Sequence, residues 1–267
     1  MVPAAIAAAL LIAPGIASAQ KDTTEETDRA MTAFAAHLRN STHMDFQVNL
    51  AARSVTESNA EPLANAVFDV SVQRPNILRI TPVQGSRVSL VSNGSNLTIE
   101  EKGGKTLLDV SAPPSFDGFR RVLPKSLGIV EQSVFSTVAG ILSNDPAGFV
   151  VGESLERSKY ANFMLDGKAG EMFKFTHGKT ETLVGLSANA RPELLRLTTD
   201  TNTEAKSGVV VNYSFRNWSM VNRGPQPAGN QAGANGAGKP GTASDTGASR
   251  PKRTGGIKIE DAPTKPK

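Results

Sequence analysis

Apolar and polar side chains alternate along two stretches in the first half of the chain, at residues 44–50 and 68–72. A period of two is typical of strands that bury one face of a sheet. The sequence therefore predicts two half-buried strands, whose apolar positions are Met44, Phe46, Val48, Leu50, Phe68, Val70 and Val72.

Turn signals separate the short apolar stretches that follow. At Arg74-Pro75 the proline removes a backbone donor and biases the arginine toward extended geometry, so we expect a turn. Asn93-Gly94 is a strong hairpin signal, and Gly103-Gly104 marks another turn before residues 106–110. Between these turns the apolar face continues at Leu78, Ile80, Val88, Leu90, Leu97 and Ile99. The pattern predicts an antiparallel meander.

A helix is predicted before the first strand, over residues 24–40. Thr23 precedes Glu26 by three positions, which is the spacing of a capping box. Apolar residues then recur at the helical spacing of three and four. They are Met31, Phe34, Ala35 and Leu38.

The chain returns to helical spacing after Pro113-Pro114, which ends the meander. Residues 116–123 fit a short helix and residues 130–142 fit a longer one, with an exit at residues 144–146. A second β region follows, with turns at Asp166-Gly167 and His177-Gly178. Its predicted strands are 149–155, 161–165, 172–176, 182–186, 194–199 and 208–220.

These elements predict a mainly β (α+β) fold with about 11–12 strands. An open sheet of that size normally curls or closes. Because helices occur in only two places, we expect one strongly curved antiparallel sheet, an incomplete barrel whose hollow the helices plug.

The ends of the chain do not share these patterns. Residues 1–19 hold an apolar run and the small-x-small site Ala17-Ser18-Ala19, which indicate a secretory signal peptide; an uncleaved anchor is the alternative. We expect a soluble periplasmic product in which residues 20–221 form the folded domain. Residues 222–267 contain nine Gly and six Pro and are expected to be disordered.

The basic character of the chain belongs to this tail. Residues 222–267 carry eight Lys or Arg and three acidic residues, a net charge of +5, whereas the whole chain has +4. Such an arm can contact anionic membrane or cell-wall polymer. A solubilising tail without a partner is the alternative, and nucleic acid is not an expected partner of an exported chain.

Catalytic signatures are absent from the sequence. There is no cysteine, and His37, His43 and His177 lack the spacing of known metal motifs. There is also no G-x-S-x-G nucleophile motif. We therefore expect a non-enzymatic protein with no metal and no cofactor.

Three stretches resemble the outer-membrane lipoprotein carrier (LolA/LolB-like) superfamily and, within it, a family of predicted periplasmic proteins. They are residues 67–80 with Arg-Pro and Leu-Arg-Ile, residues 91–100 with Asn-Gly, and residues 213–220 with its tryptophan. The resemblance implies an incomplete barrel with a helical lid over an apolar cavity that holds acyl chains. It places Trp218 on the closing strand.

The resemblance and the apolar pattern together predict two sets of ligand-binding residues. The expected cavity wall is Phe46, Val48, Phe68, Val70, Val72, Leu78, Ile80, Leu97, Ile99 and Trp218. The expected lid residues are Phe34, Leu38, Phe116, Phe119, Val134 and Val138. An ordinary filled core is the alternative for both sets.

Three functions are compatible with these features. The first is a monomeric periplasmic protein that binds a lipid or a lipoprotein acyl chain. The second is an envelope sensor or scaffold that binds a protein partner through its sheet or its tail. The third and weakest is a hydrolase without a recognisable motif.

Overall fold

The computed structural model describes residues 15–56, 59–154, 156–201 and 207–222. The apolar core of the predicted signal peptide and nearly all of the predicted disordered tail lie outside these residues. The α-helices within these residues are α1 Gly15–Asn40, α2 Phe119–Val122, α3 Ile129–Leu142 and α4 Pro146–Val151. A 3-10 turn at Phe116–Gly118 leads into α2.

Eleven antiparallel strands make up a single sheet in the described part of the chain. They are β1 Ser41–Thr56, β2 Ala60–Gln73, β3 Ile77–Gln84, β4 Val88–Asn93, β5 Asn96–Glu101, β6 Thr106–Ser111, β7 Glu156–Leu165, β8 Lys168–His177, β9 Thr180–Ser187, β10 Leu194–Asp200 and β11 Ser207–Asn222.

The strand order is β6-β5-β4-β3-β2-β1-β11-β10-β9-β8-β7. Each half of the sheet is therefore a simple up-and-down meander, and the long pair of β1 with β11 joins the two halves. Strands β6 and β7 lie at opposite edges, so the curved sheet remains unclosed. The predicted fold class is confirmed.

The turn between β2 and β3 lies where the sequence predicts it. The chain turns at residues 74–76 with a cis bond between Arg74 and Pro75. The Asn76 side-chain amide donates to the carbonyl oxygens of Gly94 and Pro113, both at 2.9 Å. Since Gly94 belongs to the next hairpin, Asn76 ties two successive turns at one end of the sheet.

One apolar face of the sheet packs against the helices, and together they form one hydrophobic core. The predicted apolar stripe of α1 lies on the buried side of that helix, with Met31, Phe34, Ala35 and Leu38 all buried. The buried side of α3 faces the same core. The opposite face of the sheet carries most of the polar side chains, as the alternating pattern requires.

Three details of the predicted elements are wrong. Helix α1 begins at Gly15, so Thr23 lies inside the helix and does not start it. Residues 149–151, assigned to a strand, belong to α4. Asp145 accepts a hydrogen bond from the Gly148 N–H, and Pro146 occupies the first turn of α4. Both residues are typical of a helix N-terminus, so the sequence does contain a start signal for α4. Finally, Trp218 lies on β11 in the middle of the sheet, not at a closing edge.

Within the described residues, no helix is both long enough and apolar enough to cross a lipid bilayer.

Gly85 in the β3–β4 turn should tolerate no side chain. Its φ is +76°, and an added Cβ would lie 2.0 Å from the backbone oxygen of Asn65. We expect Gly85→Ala to lower the unfolding free energy by about 3 kcal/mol, because strain and a backbone clash combine. Urea titration measures the change.

Gly178→Ala is the matched control, because Gly178 also has a positive φ but has no atom within 4 Å of the added Cβ. Its expected cost is about 1 kcal/mol, from the backbone conformation alone. Equal losses in the two variants would contradict the close contact at Gly85.

Candidate functional site

The apolar residues predicted as a cavity wall share one face of the sheet. Strand register aligns Phe46 with Val70, Val70 with Ile80, Ile80 with Leu90, and Leu90 with Ile99. This row crosses five strands. All the wall residues predicted on β1–β5 are at most 4 % exposed. We call this face of the sheet the wall.

The wall extends beyond the residues that the alternating pattern predicts. Strands β8–β11 continue the same apolar face across the second half of the sheet. The missed residues include Phe173, Phe175, Val184, Leu186, Leu197, Tyr213 and Phe215, all buried. Alternation in β8 and β9 is less regular, because buried residues such as Met172 and Phe173 are adjacent. The signal was present in the aromatic content of β8 and β11.

Trp218 joins the wall at the bulge between β1 and β11. Its ring stacks on Phe46 with centroids 4.2 Å apart. Its indole N–H donates to the Leu194 carbonyl oxygen at 2.8 Å. Asn217 beside it has φ +56°, a conformation that asparagine tolerates better than most residues.

All six predicted lid residues face the wall and are at most 1 % exposed. We call α1, α3 and the segment 116–122 the lid. Lid and wall side chains belong to one contiguous core. Phe135 of α3, for example, meets Phe68 of the wall edge to face, with centroids 6.1 Å apart. The lid therefore occupies the space that an acyl chain would need along the wall.

Arg74 braces the ends of both main lid helices. Its guanidinium donates to the carbonyl oxygen of Leu142, at the end of α3, at 3.0 Å. It also donates to the carbonyl oxygen of Leu38, near the end of α1, at 3.3 Å. The cation lies 5.7 Å from the centre of the Phe116 ring. One positive charge thus meets two helix C-termini, where carbonyl groups lack partners and the dipole is negative.

Polar contacts hold the lid elsewhere. Lys159 of β7 contacts Glu26 of α1 at 2.7 Å and Glu171 of β8 at 2.6 Å. The hydrogen bond to Glu171, and to a smaller extent the one to Glu26, raises the pKa of Lys159. Arg157 of β7 pairs with Asp28 of α1 at 2.9 Å. These contacts tie the middle of α1 to the β7 edge.

Two hydrogen bonds fix the start of α3. Ser86, in the β3–β4 turn, donates to the Glu131 carboxylate at 2.6 Å. Ser133 and Tyr213 share a hydrogen bond between their hydroxyl groups. The start of α3 and the middle of α1 are therefore held by polar side chains, and the C-terminal ends of both helices by Arg74.

A cleft of about 540 Å³ opens between α1 and strands β8 and β9. Two wall residues, Phe173 and Leu186, line its floor. Its rim includes Ala30, Ala33, Ala188 and Ala190, whose side chains end at Cβ and leave space. We call this opening the side cleft. Phe173 and Leu186 stay buried, so the side cleft ends at the wall beneath α1.

The described residues contain no group of three or more His, Asp or Glu side chains that could hold a metal ion. His37 is half-buried in the last turn of α1, and His43 and His177 are exposed on β1 and β8. Glu100 and Glu101 occupy successive positions of β5, so their side chains point to opposite faces.

The structure is thus a curved, open β-sheet whose apolar wall is covered by helices from two separate parts of the chain. The chain belongs to the family described as "Predicted periplasmic protein (DUF2092)", whose model matches residues 27–230. The family predicted from the resemblance is confirmed, and with it the periplasmic location.

Among solved structures, the chain is similar to LprF from Mycobacterium bovis, with 13% identity over 78% of this chain and 99% of that one, and a TM-score of 0.42. It is also similar to the LolA superfamily protein NE2245 from Nitrosomonas europaea, with 12% identity over 74% and 94% of the two chains and a TM-score of 0.31. These distant likenesses define no function. A comparison with curated proteins found no match.

Replacing Arg74 with leucine should loosen both lid helices. Each helix C-terminus loses a charged donor to its last carbonyl groups, so we expect the unfolding free energy to fall by about 2 kcal/mol. Hydrogen exchange should accelerate in the last turns of α1 and α3. Arg79→Leu on the exposed side of β3 is the control and should change neither quantity. If the amides in these turns exchange as slowly in the Arg74 variant as in the parent protein, Arg74 does not hold the helix ends.

Stability should fall in mild acid through His37. Burial lowers the pKa of His37 from 6.5, Arg191 adds to this effect and Glu193 opposes it. The folded chain therefore binds fewer protons than the unfolded chain below about pH 6.5, so this contribution is complete above that pH and is lost as pH falls through the folded pKa.

Urea midpoints at about pH 7.5 and about pH 5.5 check this expectation. The His37→Gln variant should lose less stability between the two pH values than the parent protein does. An unchanged pH dependence in the variant would contradict a role for His37.

Proposed function

We propose that this protein is a non-enzymatic periplasmic binding protein for a lipid or a lipoprotein acyl chain. In the bound state the acyl chain lies along the wall, after the lid helices have moved. The observation that supports the proposal is the side cleft, because two buried wall residues, Phe173 and Leu186, form its floor.

The shape of the side cleft suits an extended apolar ligand. Its volume of about 540 Å³ lies within the usual range of ligand pockets, roughly 300–1,000 Å³. Phe173 and Leu186 belong to the same core as the rest of the wall. An acyl chain that enters beside α1 therefore meets a continuous apolar surface that leads under the lid.

The energetics favour exchange of lid contacts for ligand contacts. Moving a lid helix exposes wall and lid side chains to water, which is unfavourable in proportion to their apolar area. An acyl chain covers the same wall and regains about 0.8 kcal/mol for each buried CH₂ group. Closed and ligand-bound states can then lie close in free energy.

The polar contacts of the lid are suited to reversible opening. The pair of Arg157 with Asp28 is half-exposed at both side chains, so it contributes about 1 kcal/mol or less. Breaking it returns both groups to water. The Arg74 brace joins the C-terminal ends of α1 and α3, and their N-terminal halves are therefore the parts expected to swing.

The test is mass spectrometry of organic extracts from the full chain, exported to a bacterial periplasm and purified without detergent. We expect a near-stoichiometric acyl lipid, or saturable uptake of added fatty acid. Ala33→Phe should reduce bound lipid by about tenfold or more, because the new ring fills the side cleft. Circular dichroism confirms that the variant is folded.

Ala161→Phe is the matched control, since Ala161 is exposed on β7 and its side chain lies on the opposite face of the sheet. This variant should bind as much lipid as the parent. An empty extract from folded parent protein, together with no uptake, would overturn the proposal. The function would then lie on the outer surface or in the tail, as in the sensor or scaffold hypothesis.

A further inference from the structure

The face of the sheet opposite the wall carries buried apolar side chains that the alternating pattern does not require. Met172 of β8 and Val210 of β11 are 7 % and 8 % exposed, although the adjacent residues Phe173 and Val211 face the core. Both side chains line a cleft of about 360 Å³. We call this face of the sheet the outer face and the cleft the outer groove.

Two glycines shape the outer groove. The Phe163 ring of β7 lies over Gly170 of β8 and Gly185 of β9, where an added Cβ would come within 2.5 Å and 2.7 Å of ring atoms. A side chain at either position would displace the ring, and a glycine within a strand often marks such a close approach. Phe163 therefore extends over two neighbouring strands and forms one side of the groove.

An ion pair holds the β7–β8 hairpin over the outer face. Asp166, in the turn of this hairpin, contacts Arg216 of β11, with its Oδ2 at 2.8 Å from the arginine Nε. Strands β9 and β10 lie between β8 and β11 in the sheet. The hairpin must therefore curl across the outer face to make this contact, so the outer groove is concave.

A β-bulge aims Tyr160 at the outer groove. The register of β7 on β8 shifts between Lys159 and Ala161, so Tyr160 is an extra residue on β7. Lys159 contacts Glu26 of the lid, whereas Tyr160 and Ala161 both line the groove on the opposite face. Bulges commonly re-aim side chains in this way. Tyr160 is 61 % exposed, so its ring offers an accessible aromatic face.

Planar polar groups form the opposite side of the groove, on β1, β10 and β11. The Asn212 side-chain oxygen accepts from the Thr198 hydroxyl at 2.8 Å and from the Arg196 guanidinium at 3.3 Å, which leaves the Asn212 NH₂ group as a donor. Arg53 lines the same side. Within the part of the chain that the structure describes, Arg53 has no hydrogen-bond or ion-pair partner.

The groove holds charges of both signs in equal number. Arg53 and Arg196 are balanced by Asp200 and Glu181, and Glu181 also pairs with Lys174. Net charge therefore does not select the ligand. The ligand is selected by the separation of aromatic rings on one side from planar hydrogen-bonding groups on the other.

We propose that the outer groove binds a glycan built of uncharged pyranose sugars. A pyranose ring has a flat face of C–H groups, which suits the aromatic rings of Tyr160 and Phe163. Its edge carries hydroxyl groups that both donate and accept, as guanidinium, amide and carboxylate groups require. The volume of about 360 Å³ lies within the usual range of ligand pockets, roughly 300–1,000 Å³.

A peptide and an acyl chain suit the groove less well. An extended peptide binds a sheet by adding to a free strand edge, but β8–β11, which form the floor of the groove, are each paired on both sides. An acyl chain would separate the arginine and carboxylate groups from water without giving them partners, which is unfavourable. Sugar hydroxyls supply such partners.

The inference goes beyond lipid binding under the lid and does not depend on it. The outer groove and the wall lie on opposite faces of the sheet, so each ligand has its own site. The two proposals therefore succeed or fail separately.

The test is an NMR titration of the ¹⁵N-labelled full chain with two uncharged tetrasaccharides, N-acetylchitotetraose and cellotetraose. Because neither probe is charged, the basic tail adds no electrostatic attraction. We expect at least one probe to shift the amide signals of residues 160–163 and 183–185 saturably, with a dissociation constant of about 1 mM or tighter.

Tyr160→Ala should weaken this binding about fivefold or more, because the stacking ring is lost. Tyr160→Phe keeps the ring and should bind like the parent. Met164→Ala is the matched control, since Met164 is 66 % exposed on the same strand but does not line the groove. It should also bind like the parent.

The inference is wrong if neither tetrasaccharide shifts the groove signals at about 10 mM, or if the only shifts lie outside the groove. Equal binding by Tyr160→Ala and the parent would also overturn it. The lipid content of organic extracts should be the same for Tyr160→Ala and the parent, so this measurement separates a failure here from a failure of lipid binding.

Discussion

An apolar face that runs across an unclosed sheet has to be covered, and the rest of this structure follows from that constraint. Strands β6 and β7 do not meet, so the wall cannot close on itself as it would in a barrel. Eleven strands expose more apolar surface than one short helix can bury. The chain covers it with α1 before the first strand and with residues 116–151 between the two meanders.

Arg74 lets these two separate insertions act as one cover. The arginine lies in the turn between β2 and β3, yet its guanidinium reaches the ends of α1 and α3. A cation is stabilised by the negative ends of two helices, and their carbonyl groups gain donors in return. The same turn also positions Asn76, which ties the neighbouring hairpin. Three consecutive residues, 74–76, therefore contribute to both strand connectivity and the attachment of the lid.

Much of the fold could be predicted because it rests on local signals. Alternation at residues 44–50 and 68–72, the proline turn and Asn93-Gly94 each specify geometry within a few residues. Helix α4 is harder to predict, because Asp145 and Pro146 fit the end of one element as well as the start of the next. The extension of α1 back to Gly15 lacks a comparable signal.

The site was less predictable, because its parts are brought together only by the sheet. The buried residues on β1–β5 followed from alternation, but Phe173, Leu186 and Tyr213 follow a less regular pattern. Arg74 lies 36 residues from Leu38 and 68 residues from Leu142 in the sequence, and no periodicity can indicate contacts over such separations. The side cleft exists because alanines on α1 face alanines after β9, a coincidence visible only in three dimensions.

Trp218 reports directly on whether an acyl chain lies along the wall. It is the only tryptophan of the chain, it stacks on Phe46 of the wall, and it bonds Leu194, whose strand partner Leu186 lines the side cleft.

The decisive measurement is a titration of the folded protein with a brominated fatty acid while Trp218 fluorescence is recorded. Acyl binding along the wall predicts saturable quenching that an unbrominated fatty acid competes away. Unquenched fluorescence at concentrations where the lipid remains soluble would contradict acyl binding along the wall and show that the apolar interior is a filled core.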